Sequence, residues 1–168
     1  MNELEIFCNL VKNRSNENSK AIQLLYQNRL YGICVGILRQ ELDSMVRVLF
    51  LLTCTQQLRL QFIKQTLNNE KWHIEKKNIT DSSLVKNILK MHGWARNVYR
   101  FGCSFIHFSI FHYYTEQDPF LKLPRESINS IKNFMVQYQE FPKEKDINFS
   151  TMQPYLLKIF DKINKNLE

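Results

Sequence analysis

The fold is decided by residues 19–52, which read SKAIQLLYQNRLYGICVGILRQELDSMVRVLFLL. Apolar side chains recur along this stretch at intervals that suit a helix, at Ile22, Leu25, Leu30, Ile33, Ile37, Met45, Leu49 and Leu52. No proline interrupts it, because all four prolines of the chain lie in the last third. The stretch therefore predicts one long helix, with at most a kink, that forms the spine of an all-α fold. Gly32 and Gly36 either let a second helix approach this spine closely or fall four residues apart by chance.

The remaining sequence predicts further helices and no sheet, because alternating strand patterns bounded by turn residues are not evident. Asn2 and Glu5 suit a capping box at the start of the first helix, and the polar string 13–18 predicts the first loop. Either Thr80 or Asp81 caps the fourth helix, and either Ser150 or Thr151 caps the last. The predicted helices cover residues 2–12, 19–52, 56–68, 81–92, 94–114, 124–138 and 150–167. This pattern predicts an up-and-down helical bundle with additional helices, in a single domain over residues 1–168.

The composition is that of a basic, well-packed domain. The 168 residues include 23 Lys and Arg against 16 Asp and Glu, a net charge of +7, with 44% hydrophobic and 12% aromatic residues. This excludes intrinsic disorder and favours an anionic partner, either nucleic acid or an acidic protein, although a mildly basic surface without a binding role fits equally. The four cysteines are scattered, the N-terminus does not resemble a signal peptide, and no apolar run is long enough to span a bilayer. We therefore expect a cytoplasmic location and no membrane partner.

A second stretch, YRFGCSFIHFS at residues 99–109, places an arginine and a histidine in an otherwise apolar predicted helix. At about 100° per residue, seven residues bring Arg100 and His107 to one stripe of that helix, with Ser104 between them. A guanidinium suits a phosphate, and an imidazole accepts and returns a proton near neutral pH. The aromatic neighbours predict that both side chains are at least half buried. The stripe is a candidate catalytic or anion-binding groove, unless Arg100 pairs with a carboxylate and His107 with a backbone carbonyl.

Arg39, Asp43 and Arg47 form a charged ladder at i, i+4 and i+8 on the predicted spine. Such ladders stabilise a helix by only about 0.3–0.5 kcal/mol per pair and usually have no catalytic role. The functional alternative is that Asp43 or Glu41 orients His107 across the bundle.

Basic residues also lead into the central helix, with aromatic residues between them. The candidate RNA-binding residues are Lys86, Lys90, Arg96 and Tyr99. Cations and aromatic rings together suit single-stranded RNA, which is held by phosphate contacts and base stacking. Lysines on the wet face of an amphipathic helix give the same pattern.

The sequence does not indicate a cofactor or a metal. His107 and His112 are five residues apart, about 140° around a helix, which does not suit a shared ligand site. The glycine-rich phosphate loop, the dinucleotide fingerprint, the nucleophile elbow of serine hydrolases and the zincin motif do not occur in the sequence.

The helix order, the run LRQELDSMVR at residues 38–47 and the R-x6-H spacing of Arg100 and His107 resemble the HEPN superfamily, the higher eukaryote and prokaryote nucleotide-binding domains. Many members are ribonuclease toxins or defence proteins. The resemblance implies an HEPN-like bundle that forms a homodimer in which two motif helices meet. It implies that His107 serves as acid or base and Arg100 stabilises the scissile phosphate of RNA without a metal. Ser104, Arg39, Asp43 and Arg47 are the supporting candidates.

The same resemblance leaves a second function open. Superfamily members without a working site act as nucleotide-binding, RNA-binding or scaffolding modules. In a toxin or defence system, the partner of such a module is an antitoxin or another defence protein. The sequence thus predicts either a metal-independent endoribonuclease or a non-catalytic helical binding protein.

Overall fold

The computed structural model of this chain describes residues 2–88 and 92–167, and within them the secondary structure is helical apart from one short hairpin. This confirms the all-α prediction. The helices are α1 (Glu3–Gln27), α2 (Tyr31–Thr53), α3 (Gln56–Leu67), α4 (Asp81–Ile88), α5 (Ala95–Ile106), α6 (Arg125–Gln139), α7 (Phe149–Met152) and α8 (Leu156–Asn164). The hairpin pairs β1 (His73–Ile74) with β2 (Lys77–Asn78), and short 3₁₀ helices cover Ile110–Tyr113, Pro119–Lys122 and Gln153–Tyr155.

Helix α2 is the centre of the fold, but it covers only the second part of the single helix predicted over residues 19–52, because residues 19–27 belong to α1 and the chain turns at Arg29. It contacts α1, α3, α4, α5 and α8. Its most deeply buried apolar side chains, Cys34, Leu42 and Met45, are completely inaccessible to solvent. A helix that is buried on so many sides holds its neighbours in place chiefly through removal of apolar surface from water.

The predicted boundary between the first two helices is wrong. Asn2 does cap α1, because its side chain accepts a hydrogen bond from the Glu5 backbone N–H and its own N–H donates to the Glu5 carboxylate. The polar string 13–18 continues this helix instead of ending it. The chain turns later, where Arg29 adopts a left-handed conformation with φ of 58°. The polar residues stay helical because Ser15 and Asn18 donate hydrogen bonds to the buried carboxylate of Glu41 on α2.

The predicted central helix is also shorter than expected, because α5 ends at Ile106 and His107 has extended backbone angles. The Ser109 hydroxyl donates a hydrogen bond to the Ser104 carbonyl over 2.7 Å and accepts one from the Phe111 backbone N–H over 3.2 Å. The turn brings the Phe111 ring back to within 6 Å, centroid to centroid, of Phe101 and Phe105. Aromatic packing therefore ends the helix at a point where apolar periodicity alone predicts its continuation.

Two glycines lie at close contacts of α2: Gly102 of α5 meets α2 itself, and Gly32 of α2 meets Tyr114, which lies beyond α5. A Cβ atom at Gly102 of α5 would lie 2.7 Å from the Arg39 Cβ, and one at Gly32 of α2 would lie 2.7 Å from the Tyr114 ring. At Gly36 the nearest atom would be 3.8 Å away, an ordinary contact. Gly32 thus makes room for the Tyr114 ring rather than for the backbone of a second helix, and Gly36 does not need to be glycine.

The last helical segment begins earlier than predicted. Asn148, and not Ser150 or Thr151, caps α7, because its side-chain oxygen accepts a hydrogen bond from the Thr151 backbone N–H over 2.8 Å. Among the described residues, no helix combines the length and apolar character needed to cross a membrane.

Candidate functional site

Arg100 and His107 both lie at the surface, which corrects the expectation that they are half buried. Arg100 is on the last two turns of α5, whereas His107 is the first residue beyond the helix. Because the helix ends at Ile106, helical spacing does not apply to His107, and the two side chains do not share one helical stripe. Both remain accessible to a ligand that approaches the end of α5.

Arg100 borders a shallow depression of about 240 Å³ between α5 and α6. Asn97, Leu123, Pro124 and Ser127 are also at its rim. Within the described part of the chain, Arg100 makes neither an ion pair nor a side-chain hydrogen bond. Its guanidinium therefore has donors available for an anion.

His107 lies beside a second imidazole that sequence reasoning did not include in the site. The His112 Nε2 atom is 3.2 Å from the His107 carbonyl oxygen, and it donates a hydrogen bond there in the tautomer that is protonated at Nε2. The His112 ring stacks on Phe108 with an interplanar angle of 18°. Because the helix ends before His107, the chain turns and His112 comes close to the His107 backbone. In a continuous helix the two residues would lie about 140° apart, so the sequence does not predict this contact. The His112 imidazole thus contacts the His107 backbone, and both imidazoles are exposed.

Apolar side chains surround this histidine pair and point into solvent. We call Ile106, Phe108, Ile110 and Tyr113 the apolar patch; their exposed fractions are 47%, 102%, 52% and 55%. Phe108 is thus fully exposed, which is unusual for a phenylalanine. Four exposed apolar side chains so close together in the sequence are typical of an interaction site.

The supporting residues Arg39, Asp43 and Arg47 do not form a set with His107. They join Arg14 and Asp81 in what we call the arginine–aspartate network, made of Arg14, Arg39, Asp43, Arg47 and Asp81. Asp43 accepts hydrogen bonds from Arg14 Nη1 and Arg47 Nε, each over 3.0 Å. Asp81 accepts from Arg39 Nη2 over 2.9 Å and from Arg47 Nη2 over 2.6 Å.

The electrostatics of this network are those of paired charges. Burial alone raises the pKa of the Asp43 carboxyl, but the neighbouring guanidiniums, above all that of Arg47, hold it below its ordinary value. Glu41, the other carboxylate considered for orienting His107, is fully buried, and its oxygens accept from Ser15, Asn18 and Asn164. The structure therefore assigns both carboxylates to partners other than His107.

The candidate RNA-binding residues before and within α5 differ in how far they are exposed. Lys86 and Arg96 are exposed, whereas Lys90 falls outside the described residues. Tyr99 is half buried, and the Arg39 guanidinium covers its ring with its central carbon 4.3 Å from the ring centroid. Lys86 and Arg96 can thus reach a phosphate backbone, but one face of Tyr99 is already occupied.

The described residues do not contain a group of three or more His, Cys, Asp or Glu side chains placed to hold a metal ion. All four cysteines are unpaired thiols; Cys34 is buried and Cys8 is exposed. Ser104, the remaining supporting candidate, is half buried, and its carbonyl accepts the hydrogen bond from Ser109 that closes the turn after α5.

No family model, curated protein or solved structure matches this chain.

The chemistry of α5 and the residues after it is therefore inferred from their geometry alone. Two accessible imidazoles and exposed apolar side chains follow α5, whereas the accessible Arg100 guanidinium lies on the helix itself, at a depression that His107 does not line. A guanidinium binds and stabilises a phosphate, whereas an imidazole transfers protons near neutral pH.

Proposed function

We propose that this protein is a metal-independent endoribonuclease with an HEPN-like bundle, which acts as a homodimer through Arg100 and His107. The observation that supports the proposal most directly is that both side chains are exposed, Arg100 on α5 and His107 directly after it, without an ion pair among the described residues. Arginines of the network are already paired with carboxylates. Arg100 differs from them because its donors are available to a substrate.

In the proposed reaction, the 2′-hydroxyl of RNA attacks the adjacent phosphorus. The new O2′–P bond forms as the P–O5′ bond breaks, which leaves a 2′,3′-cyclic phosphate on one product and a 5′-hydroxyl on the other. The His107 imidazole of one protomer takes the proton from O2′, and the imidazolium of the partner's His107 gives a proton to O5′. Arg100 stabilises the negative charge that gathers on the phosphoryl oxygens. DNA is spared because it lacks the attacking hydroxyl.

The apolar patch supports the dimer in this proposal. A fully exposed Phe108 beside His107 leaves apolar surface in water, and pairing with the same surface of a second protomer removes it. Such a symmetric contact places two copies of Arg100 and His107 near one another. Reaction by two imidazoles, one as base and one as acid, requires this proximity.

An RNA cleavage assay in EDTA tests the proposal. Wild type, His107→Ala, Arg100→Ala and Lys20→Ala are each incubated with a mixed pool of RNA. We expect wild type and Lys20→Ala to cleave, and each site variant to lose at least about a hundredfold in rate, because general acid–base catalysis typically contributes 10²–10⁴-fold. Lys20 is an exposed cation of α1 and controls for loss of charge. Absence of cleavage by wild type, or equal cleavage by wild type and His107→Ala, rejects the nuclease.

A non-catalytic function is the second candidate, and one observation favours it. The His107 side chain does not make a hydrogen bond to another described residue, whereas a catalytic imidazole is usually oriented by a partner. In that case Arg100, Lys86 and Arg96 bind RNA or a nucleotide without cleaving it, or the apolar patch binds an antitoxin or another defence protein. Retarded migration of intact RNA with wild type, reduced for Arg100→Ala, distinguishes this function from cleavage.

A further inference from the structure

The arginine–aspartate network has a net positive charge, and its arginines have hydrogen-bond donors that its own carboxylates do not accept. Three guanidiniums face two carboxylates, so the network has an excess of one positive charge. Each of the four carboxylate oxygens already accepts one of the four hydrogen bonds that join the network. Arg39, which is only 5% exposed, has a buried Nε atom without a hydrogen-bond partner. The donors left for a ligand are those of Arg14 and Arg47, because the buried Arg39 does not line the cleft beside the network.

The open side of this network is a polar cleft of about 710 Å³. It lies between α1, α2, the end of α3, the β1–β2 hairpin and the start of α4. Its lining contains the donor side chains of Arg14, Arg47, Asn69, Lys71, Asn78 and Thr80 together with two carboxylates, Glu70 and Asp81, so that its three cations exceed its anions by one charge. This volume is within the range of about 300–1,000 Å³ that is typical of small-molecule sites.

The two arginines at the cleft, Arg14 and Arg47, are held in position by contacts with neighbouring side chains. Arg47 is fixed by Asp43 on one side and Asp81 on the other, and its central guanidinium carbon lies 4.9 Å from the centroid of the Trp72 ring. Arg14 reaches Asp43 through one nitrogen only, and 42% of its side chain is exposed to solvent. A guanidinium that is oriented in this way loses less freedom when it binds an anion.

We propose that this cleft binds a phosphate-bearing small molecule, with the phosphate held by Arg14, Arg47 and Lys71. Paired guanidiniums suit the geometry and charge of a phosphate monoester, and Asn69 and Asn78 offer amide groups to the organic part of the ligand. None of these residues belongs to α5. The site is therefore separate from Arg100 and His107 and does not depend on the proposed nuclease activity.

Isothermal titration calorimetry with the full chain tests this site, with AMP, inorganic phosphate and adenosine as probes at millimolar concentration. We expect AMP and phosphate to bind saturably and adenosine not to bind. Tighter binding of AMP than of phosphate identifies a nucleotide-like ligand, and equal binding identifies free phosphate as the source of the anion. Arg14→Ala should weaken AMP binding by at least about tenfold, because it removes a charge-assisted contact.

Lys20→Ala is the matched control, because it removes one positive charge from the same helix outside the cleft. It should leave AMP binding unchanged within about twofold, since an exposed charge away from the ligand is screened by salt. Lys71→Ala, at a fully exposed loop position, gives a second test if Arg14→Ala does not fold. The proposal is overturned by absence of binding, by adenosine that binds as tightly as AMP, or by equal effects of the cleft and control variants.

Discussion

At the scale of single residues, Glu41 shows how a buried carboxylate holds three helices together. It is fully inaccessible to solvent on α2, and its oxygens accept hydrogen bonds from Ser15 and Asn18 of α1 and from Asn164 of α8. The Asn164 amide also donates to the Ser15 hydroxyl over 2.7 Å. Glu41, Ser15 and Asn18 are buried and Asn164 is half buried, so loss of the Glu41 carboxylate leaves the Asn18 amide without this acceptor and leaves Ser15 with only its hydrogen bond from Asn164.

Replacement of Glu41 by alanine should therefore destabilise the fold strongly. We expect Glu41→Ala to lower the free energy of unfolding by about 2–4 kcal/mol, because the buried Ser15 and Asn18 side chains and the half-buried Asn164 amide lose the acceptor that they share. Urea denaturation followed by circular dichroism measures the change. Glu17→Ala, at an exposed position of α1, should change stability by less than about 0.5 kcal/mol. Similar small effects of both variants would contradict this account of Glu41.

Asp43 provides a prediction about pH. Its folded-state pKa lies below its ordinary value, so its contribution to stability is fully present above the unfolded-state pKa of about 3.9 and is lost as pH falls through the folded-state pKa. Asp43→Asn should therefore lower the free energy of unfolding by about 1–3 kcal/mol at pH 7. The difference from wild type should shrink as pH falls below about 4. Urea denaturation at pH 7 and at the lowest pH that keeps both proteins folded measures it, and a difference independent of pH would refute the argument.

At the scale of elements, the contact between α2 and α5 determines where the end of α5 lies relative to the core. Gly102 permits this contact, because a Cβ there would lie 2.7 Å from the Arg39 Cβ. The Arg39 Cβ belongs to the rigid start of a side chain that is itself buried between the helices. Any residue larger than glycine at position 102 must therefore push the two helices apart.

Gly102 of α5 and Gly36 of α2 should respond oppositely to alanine. Gly102→Ala should destabilise the protein by about 1–3 kcal/mol through overpacking. Gly36→Ala, where the nearest atom would be 3.8 Å from the new Cβ, should stabilise α2 by about 0.5–1 kcal/mol, since alanine favours a helix more than glycine does. Thermal or urea denaturation of both variants measures these changes. Equal destabilisation by both would show that the close approach at Gly102 is not the cause.

The sequence predicts the elements that depend on local signals. The capping box of Asn2 and Glu5, the start of α3 after Thr55 and the central position of α2 all follow from neighbouring residues and apolar periodicity. The string 13–18 resembles a loop because it is polar, and only the distant Glu41 explains its helical conformation. A contact between residues 26 positions apart is not visible in local sequence.

The sequence predicts the candidate site only in part, because the contacts that shape it also join residues that are not neighbours in the sequence. The sequence identifies Arg100 and His107 as the unusual polar residues of an apolar stretch. It does not predict that Phe111 packs back onto Phe101, which ends α5 and exposes His107 next to His112. It also pairs Arg39, Asp43 and Arg47 with one another but does not reveal Asp81, which joins them from another helix.

At the scale of the whole molecule, the apolar patch predicts self-association. Size-exclusion chromatography with light scattering should give the mass of a dimer of the 20.2 kDa chain at micromolar concentration. Phe108→Glu should shift the protein to monomer, because a charge at the centre of a symmetric apolar contact meets its own copy. Leu24→Glu, at a residue of α1 that is 61% exposed, should leave the dimer intact. A wild-type monomer, or equal dissociation of both variants, would contradict the proposed interface.

The central claim is that Arg100 and His107 direct attack by the 2′-hydroxyl of RNA. The most direct measurement uses DNA oligonucleotides that contain a single ribonucleotide within randomised flanking sequence, incubated with the protein in EDTA. The account predicts cleavage only on the 3′ side of the ribonucleotide, a 2′,3′-cyclic phosphate in the product by mass spectrometry, and loss of both with His107→Ala. Intact substrate with wild type, cleavage at deoxyribonucleotides, or undiminished cleavage by His107→Ala would contradict it.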